Sequence, residues 1–377
     1  MKIVIDSNIL FAEKLFKDFG ELVLYKNSVS DKNILKDADT LLCRSTMNVD
    51  SELLSGTKIK FVGTATSGIE HIDKLYLDKS NIKFADAKGS NSNSVSEYII
   101  SSILNIAIKN NLSLNNKTLG IVGWGNVGKK VEAKAKVIGL NVIVNDPPLE
   151  DIGENKNFSS IEEVLECDII TVHTPLIKEG KYKTENLFDS SKISRLKEGT
   201  IFINSARGIV ADEIELVKAK KKGIISHIVL DVWKNEPEIN FKLLDHIDIA
   251  TPHIAGHSYD GKASGSFMIL KSFCDFFRVE TIANINQILE EEQNQLQISC
   301  TGNIEQDLYR AISSIYNIEI DDTNLRKIIF IDDKISYFKS LRNNYWKRRE
   351  FSNTKIDCDD KKLIRYFSEL GFETDLS

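Results

Sequence analysis

Three side chains able to grip an acid or move a proton follow apolar runs of this 377-residue chain. Arg207 stands beside Gly208 in "INSARGIVAD", Glu236 precedes Pro237 in "LDVWKNEPE", and His253 follows Pro252 in "TPHIAGH". A guanidinium suits a bidentate pair with a carboxylate, and a carboxylate beside an imidazole favours the imidazolium that accepting a hydroxyl proton creates. Taken one at a time, Arg207 reads as a surface ion pair and His253 as a hydrogen-bonded structural histidine. Together with a hydride acceptor they are the parts needed to oxidise a 2-hydroxy acid.

The stretch "GIVGWGNVGKK" points to such an acceptor. Gly123, Gly125 and Gly128 have G-x-G-x-x-G spacing, with Asn126 and Val127 between them, after an apolar strand and at the opening of a helix. The glycines permit a tight turn and close backbone approach, the helix N-terminus offers unpaired N–H groups to a pyrophosphate, and a carboxylate about 20 residues on accepts from ribose hydroxyls. Asp146 ends the next strand and fills that role. Because its charge repels a 2′-phosphate, and Pro147 and Pro148 stand where an arginine would be needed, NAD is expected rather than NADP. The competing reading of Asp146 is a solvated strand-end acid.

The elements that position these residues are legible as alternating apolar runs and helical stretches. "KIVID", "LVLY", "TLLCR", "KIKFVGTAT" and "IKFADA" predict parallel strands with crossover helices in the first 87 residues. Ser94 with Glu97 resembles a capping box opening a helix to about Lys109. "TLGIV", "NVIVN", "DIITVHT", "TIFINSA" and "IVLDV" predict a second, doubly wound sheet, and Gly261 to Arg278 an amphipathic return helix. The remainder reads as a small α+β module, with strands at "KIIFID" and "KIDCD" and a final helix over Lys361 to Leu370.

Composition narrows the class. A hydrophobic fraction of 42% and a charged fraction of 28% belong to a globular protein of two or three domains. Lys plus Arg at 49 against Asp plus Glu at 55 gives −6, which argues against a nucleic-acid partner. Five scattered cysteines without a C-x-x-C pair suggest neither disulfides nor a metal site, and fit a reducing cytoplasm. With no export signal and no long apolar run, the expectation is a cytoplasmic protein without membrane attachment.

The chain resembles the D-isomer-specific 2-hydroxyacid dehydrogenases on "GIVGWGNVG", "NSARG", "DVWKNEPE" and "TPHIAG". A narrower branch is marked by "KFVGTATSGIEHID", "DPP", "HTPLIKEGKYKTENL", "HIAGHSYDGKA" and the tail "LRNNYWKRREFS" with "CDD". The resemblance implies a Rossmann-type NAD-binding domain (94–255), a flavodoxin-like substrate domain (1–93 and 256–280) and a C-terminal α+β dimerisation domain (281–377). It implies NAD-dependent oxidation of 4-phospho-D-erythronate to 3-hydroxy-2-oxo-4-phosphobutanoate on the route to pyridoxal 5′-phosphate, by a homodimer. Carried over motif by motif, His253 is the acid/base, Glu236 its partner, and Arg207 binds and polarises substrate. Thr174, Ser205, Ala206, Arg207, Asp231 and Gly256 join the glycine loop and Asp146 as cofactor contacts, while Ser45 and Thr66 contact substrate. The branch typically shows Tyr after "HIAG"; here His257 occupies that place, with Tyr259 two further on. For the substrate phosphate the candidates are Arg44 and the cluster Lys347, Arg348 and Arg349, with Arg348 or Arg349 brought near it by subunit pairing. Two alternatives stand beside this reading: a relative acting on another 2-hydroxy acid such as phosphoglycerate, and an NAD-sensing regulator without turnover.

Overall fold

The computed structural model describes residues 1–281, 285, 289 and 293–375. Two compact units divide it, Met1–Asn91 with Ser258–Glu292, and Ser92–His257 with Gln293–Ser377.

The first unit is a five-stranded parallel sheet of β1 (Lys2–Asp6), β2 (Glu21–Tyr25), β3 (Thr40–Cys43), β4 (Phe61–Thr64) and β5 (Lys83–Asp86), in the order β2-β1-β3-β4-β5. That is the flavodoxin-like order. Both faces of β3 and β4 are buried, as in parallel sheets covered on both sides. On one face lie Ile3, Leu42 and Phe61 with Ile269 and Phe273 of the return helix Tyr259–Phe277; on the other, Val4, Leu41, Val62 and Leu77. Gly265 lets that helix come close, since a Cβ there would sit 3.2 Å from the Ala65 carbonyl oxygen.

The second unit holds a six-stranded parallel sheet of β6 (Thr118–Val122), β7 (Asn141–Asn145), β8 (Ile169–Val172), β9 (Thr200–Asn204), β10 (Ile225–Leu230) and β11 (Ile249–Ala250). Its order is β11-β10-β9-β8-β6-β7, reversing direction between β6 and β8. Residues 293–375, expected as a domain apart, share this unit and its core: Leu308, Ile312, Phe351 and Phe367 pack with Tyr98, Ile103 and Val131. They add a two-stranded parallel sheet of β12 (Asn294–Gln297) and β13 (Thr354–Asp357) and the helices Ile304–Ile315, Ile318–Arg326, Lys334–Asn343 and Lys361–Leu370. The expected boundary at 280–281 abuts residues outside those described.

Two local expectations need correction. The helix to Lys109 begins at Ser92, and Ser94 and Glu97 lie inside it, buried. The Ser94 hydroxyl donates to Glu350 at 2.7 Å, and Glu97 accepts from the Phe351 N–H at 2.9 Å. Their polarity serves a tertiary contact and not a cap. "KIIFID" forms a 3₁₀ turn over Lys327–Phe330 in which only Ile328 is buried, while Phe330 is 83% exposed. A short apolar run carries no period by which to separate strand from helix.

Candidate active site

The sheet order of the second unit lines up the chemistry. Open parallel sheets present ligand sites at the carboxyl ends of their strands, near the point where strand order reverses. Reading along that edge from β11, the loops carry His253, then Glu236 after β10, Arg207 after β9, Thr174 after β8, the glycine loop after β6 and Asp146 after β7. Six separate segments of sequence thus form one row.

His253 and Glu236 meet directly, imidazole Nδ1 to carboxylate Oε2 at 2.7 Å. The bond leaves Nε2 as the reactive nitrogen, and about a third of the His253 side chain (32%) is open to solvent. The other oxygen of Glu236 accepts from the Trp233 N–H at 2.8 Å. Burial works to raise this carboxyl, but the His253 charge and hydrogen bond, the Trp233 amide and the Arg342 charge outweigh it and hold Glu236 below the usual carboxylate range. Desolvation lowers His71, His173 and His227, His173 to about 3, so those three imidazoles are held neutral. His253 has the carboxylate partner that acid–base work requires.

Arg207 is set by its loop. Asn204, at the end of β9, accepts from the Ala206 N–H at 3.0 Å and donates to the Arg207 carbonyl at 3.1 Å, and Arg207 itself donates to the Ala206 carbonyl at 2.7 Å. A Cβ on Gly208 would lie 2.0 Å from the Trp233 carbonyl carbon, so only glycine lets this loop close against the one that carries Glu236. Trp233 in turn donates through Nε1 to the Thr251 carbonyl at 2.9 Å, joining the Glu236 loop to that of His253.

The backbone around His253 is held with equal care. His253 has φ +58°, a left-handed conformation that few non-glycine residues adopt. Asp231, 1% exposed, accepts from the Thr251 hydroxyl and the Ile254 N–H, both at 2.7 Å, and from the Ala255 N–H at 2.9 Å. Expected as a cofactor contact, Asp231 is seen here holding the loop. Gly256 lies in a turn closed by the His257 N–H on the Ile254 carbonyl at 2.8 Å. The His257 ring meets Tyr345 edge-on at 5.9 Å.

The glycine loop fits a dinucleotide. Gly123 has φ +95°, and a Cβ would reach 2.8 Å from the His173 carbonyl; on Gly128 it would reach 2.1 Å from the Gly123 oxygen. Gly125 is exposed, and a Cβ there would meet nothing within 4 Å, which leaves open the side from which a pyrophosphate approaches. The helix Asn126–Val137 starts there with no side-chain cap, and Val127 packs on the core. The Thr174 and Ser205 hydroxyls are buried without a hydrogen-bond partner among the described residues, a condition that buried polar groups avoid unless a ligand meets them. Ala206 is buried beside them. Asp146 accepts from the Trp124 N–H at 2.7 Å and the Leu149 N–H at 3.1 Å, retaining lone pairs for a ribose.

In the first unit, Ser45 follows β3 and Thr66 follows the adjacent β4, both at carboxyl ends. Thr66 bonds to Thr64 at 2.8 Å and to the Gly68 carbonyl at 3.0 Å. Arg44 pairs with the buried Asp6 at 3.0 Å and donates to Asn27 at 3.2 Å. Lys262, exposed on the first turn of the return helix, is a cation that the sequence reading passed over. Tyr259 starts the return helix, its ring edge-on to Phe11 at 5.8 Å. The tail cluster needs correction: residues 345–350 form no helix face, and Arg348 is fully buried within its own chain, out of reach of a substrate. Lys347 is exposed and Arg349 half-buried.

Residues 105–255 match the D-isomer-specific 2-hydroxyacid dehydrogenase NAD-binding domain, and residues 288–371 match a domain of unknown function, DUF3410. The chain is 39% identical over 374 residues to an erythronate-4-phosphate dehydrogenase of Escherichia coli O139:H28, covering 99% of this chain and 98% of the relative. The chain belongs to the erythronate-4-phosphate dehydrogenase family. Like the 2-hydroxyacid dehydrogenases around that family, it is an NAD-dependent enzyme. Among solved structures, an NAD-bound 3-phosphoglycerate dehydrogenase of Entamoeba histolytica aligns with TM-score 0.63 and 27% identity over 75% of this chain and 97% of its own. An NAD-complexed formate dehydrogenase of Staphylococcus aureus aligns with TM-score 0.60 and 22% identity over 76% and 98%, which speaks to the fold. Both alignments leave about a quarter of this chain uncovered. No helix among the described residues is long and apolar enough to cross a membrane.

Proposed function

We propose that the chain oxidises 4-phospho-D-erythronate to 3-hydroxy-2-oxo-4-phosphobutanoate, a step toward pyridoxal 5′-phosphate, with the residues of the β9, β10 and β11 loops as its catalytic set. The observation that carries this reading is the 2.7 Å His253–Glu236 pair beside the Arg207 loop, in a chain 39% identical to erythronate-4-phosphate dehydrogenases. When bound, NAD supplies the acceptor for the hydride that leaves C2. The glycine loop, Asp146, Thr174 and Ser205 would hold it.

Arg207 binds the substrate carboxylate and polarises the C2 oxygen, His253 Nε2 takes the hydroxyl proton, and ionised Glu236 stabilises the imidazolium so formed. Ser45, Thr66 and His257 orient the hydroxyls. Arg44 and Lys262 are the cations assigned to the phosphate, Arg348 having left the set. The protein works in the cytoplasm as a homodimer through residues 293–375, a reading supported by the exposed apolar side chains Ile320 (54%), Ile329 (47%), Phe330 (83%) and Trp346 (45%). Light scattering checks this: Phe330→Asp is expected to be monomeric, and an unchanged mass rejects that surface.

The activity itself is tested by offering 4-phosphoerythronate, 3-phosphoglycerate and D-lactate with NAD and a keto-acid acceptor. Turnover is expected with the first at a kcat/KM at least tenfold above the others. Preference for 3-phosphoglycerate would assign the chain to a different substrate, and NADH binding without any turnover would make it a regulator.

A further inference from the structure

The catalytic loop is gripped from two sides, and one grip comes from almost a hundred residues away in sequence. Asp231 takes the N–H groups of Ile254 and Ala255. The carbonyl of the same Ala255 accepts from Arg348 Nη1 at 3.2 Å. Ala255, two residues beyond His253, is thus held at both its N–H and its carbonyl, by an acid that follows β10 and a base from the C-terminal segment.

Arg348 is itself immobilised. It is 0% exposed, its Nη2 donates to the Ser94 carbonyl at 2.8 Å, its guanidinium carbon lies 3.7 Å from the Tyr316 ring centre, and Glu97 is 4.0 Å away. Tyr316 is fixed by its hydroxyl on Asp321 at 3.1 Å. Burying a guanidinium carries a large desolvation cost, and apolar residues of equal volume commonly fill such a space with no loss of stability. Packing alone therefore does not account for an arginine here. What the guanidinium adds is a planar fork that holds two carbonyls from separate segments while stacking on an aromatic face, which a lysine cannot reproduce.

We propose that Arg348 is a positioning residue for His253: it holds the 251–256 loop, with its left-handed histidine, in the geometry that brings Nε2 to the substrate. Residues 293–375 are then part of the catalytic apparatus of their own chain, whatever they do in assembly. The inference rests on the proposed role of His253. Small misplacements of a reacting group cost about 10²-fold in rate, which sets the expected size of the effect.

The test compares Arg348→Lys and Arg348→Met in the full chain, each scored by NADH fluorescence titration as well as by turnover. Arg348→Lys is expected to bind NADH with an unchanged Kd and to lose about 10²-fold in kcat. In a His253→Ala background the same substitution is expected to change the residual rate less than threefold, because the two changes disable one device. Wild-type kcat in either folded Arg348 variant would overturn the proposal, as would an equal loss with and without His253 or a fall in NADH binding that matches the fall in kcat. Should the Met variant not fold, the Lys variant and its double mutant carry the comparison. Absence of turnover in the wild-type chain would instead sink the assigned function, and the two failures are distinct.

Discussion

At residue scale the decisive feature is a histidine whose ring faces a carboxylate that stays charged. Glu236 is held ionised chiefly by the His253 charge, against the upward push of burial. Oxidation needs an imidazole nitrogen free to take the hydroxyl proton, and the Glu236 carboxylate stabilises the imidazolium so formed. Replacing Glu236 by Gln removes that charge while keeping a hydrogen-bonding group at Nδ1, and kcat is expected to fall about 10²-fold with the NADH Kd unchanged. Wild-type kcat in the folded Gln variant would separate Glu236 from the proton transfer. His253, Glu236 and Arg207 were all visible in the sequence, because each follows an apolar run where sheets place ligands. Asn204 and Trp233 were not, since an Asn and a Trp carry no chemistry of their own here and act through hydrogen bonds to loop backbone.

At the scale of elements, the sequence periods that mark buried parallel strands marked β1 to β10, while the two-residue edge strand β11 is too short to show a pattern, and the strand order explains why six loops align. The two failures have different causes: the Ser94–Glu97 pattern was answered by Glu350 and Phe351 some 250 residues on, and "KIIFID" is too short to carry a period that separates strand from helix. The glycine loop offers a test that separates folding from binding. A methyl on Gly128 would collide with the Gly123 oxygen at 2.1 Å, so Gly128→Ala is expected to disrupt the turn and lose both thermal stability and NADH binding. A methyl on Gly125 meets only open space, so Gly125→Ala is expected to keep its Tm and weaken NADH binding by at least tenfold. Unchanged NADH affinity of a folded Gly125→Ala chain would mean that no pyrophosphate crosses there.

For the whole molecule, the part least legible in the sequence is the union of residues 293–375 with the nucleotide-binding sheet. It is made by a buried polar cluster: Asn93 donates to Glu97 at 2.9 Å and to Glu350 at 2.7 Å, with Lys134 and Arg348 close by. Contacts spanning some 250 residues leave no periodicity to read. Burial and the neighbouring Glu350 carboxylate push Glu97 up to about 8. Because its folded ionisation lies above the unfolded one, its contribution to stability is complete below about 4.5 and is lost as pH rises toward 8. Glu97→Gln imitates the protonated form and removes this dependence. Its Tm is expected to match wild type near pH 4.5 and to exceed it by a few degrees at pH 8; a Gln variant that is less stable at pH 8 would show that the cluster needs the charge.

The central claim is that the hydrogen on C2 leaves for bound NAD while His253 takes the hydroxyl proton. Its most direct test is 4-phosphoerythronate deuterated at C2, given to wild-type and His253→Ala chains with NAD, with the label followed by mass spectrometry. The account predicts one deuterium in the reduced cofactor, none in water, and a rate at least 10²-fold lower without the imidazole. Label released to solvent, or transfer at the wild-type rate by His253→Ala, would contradict it.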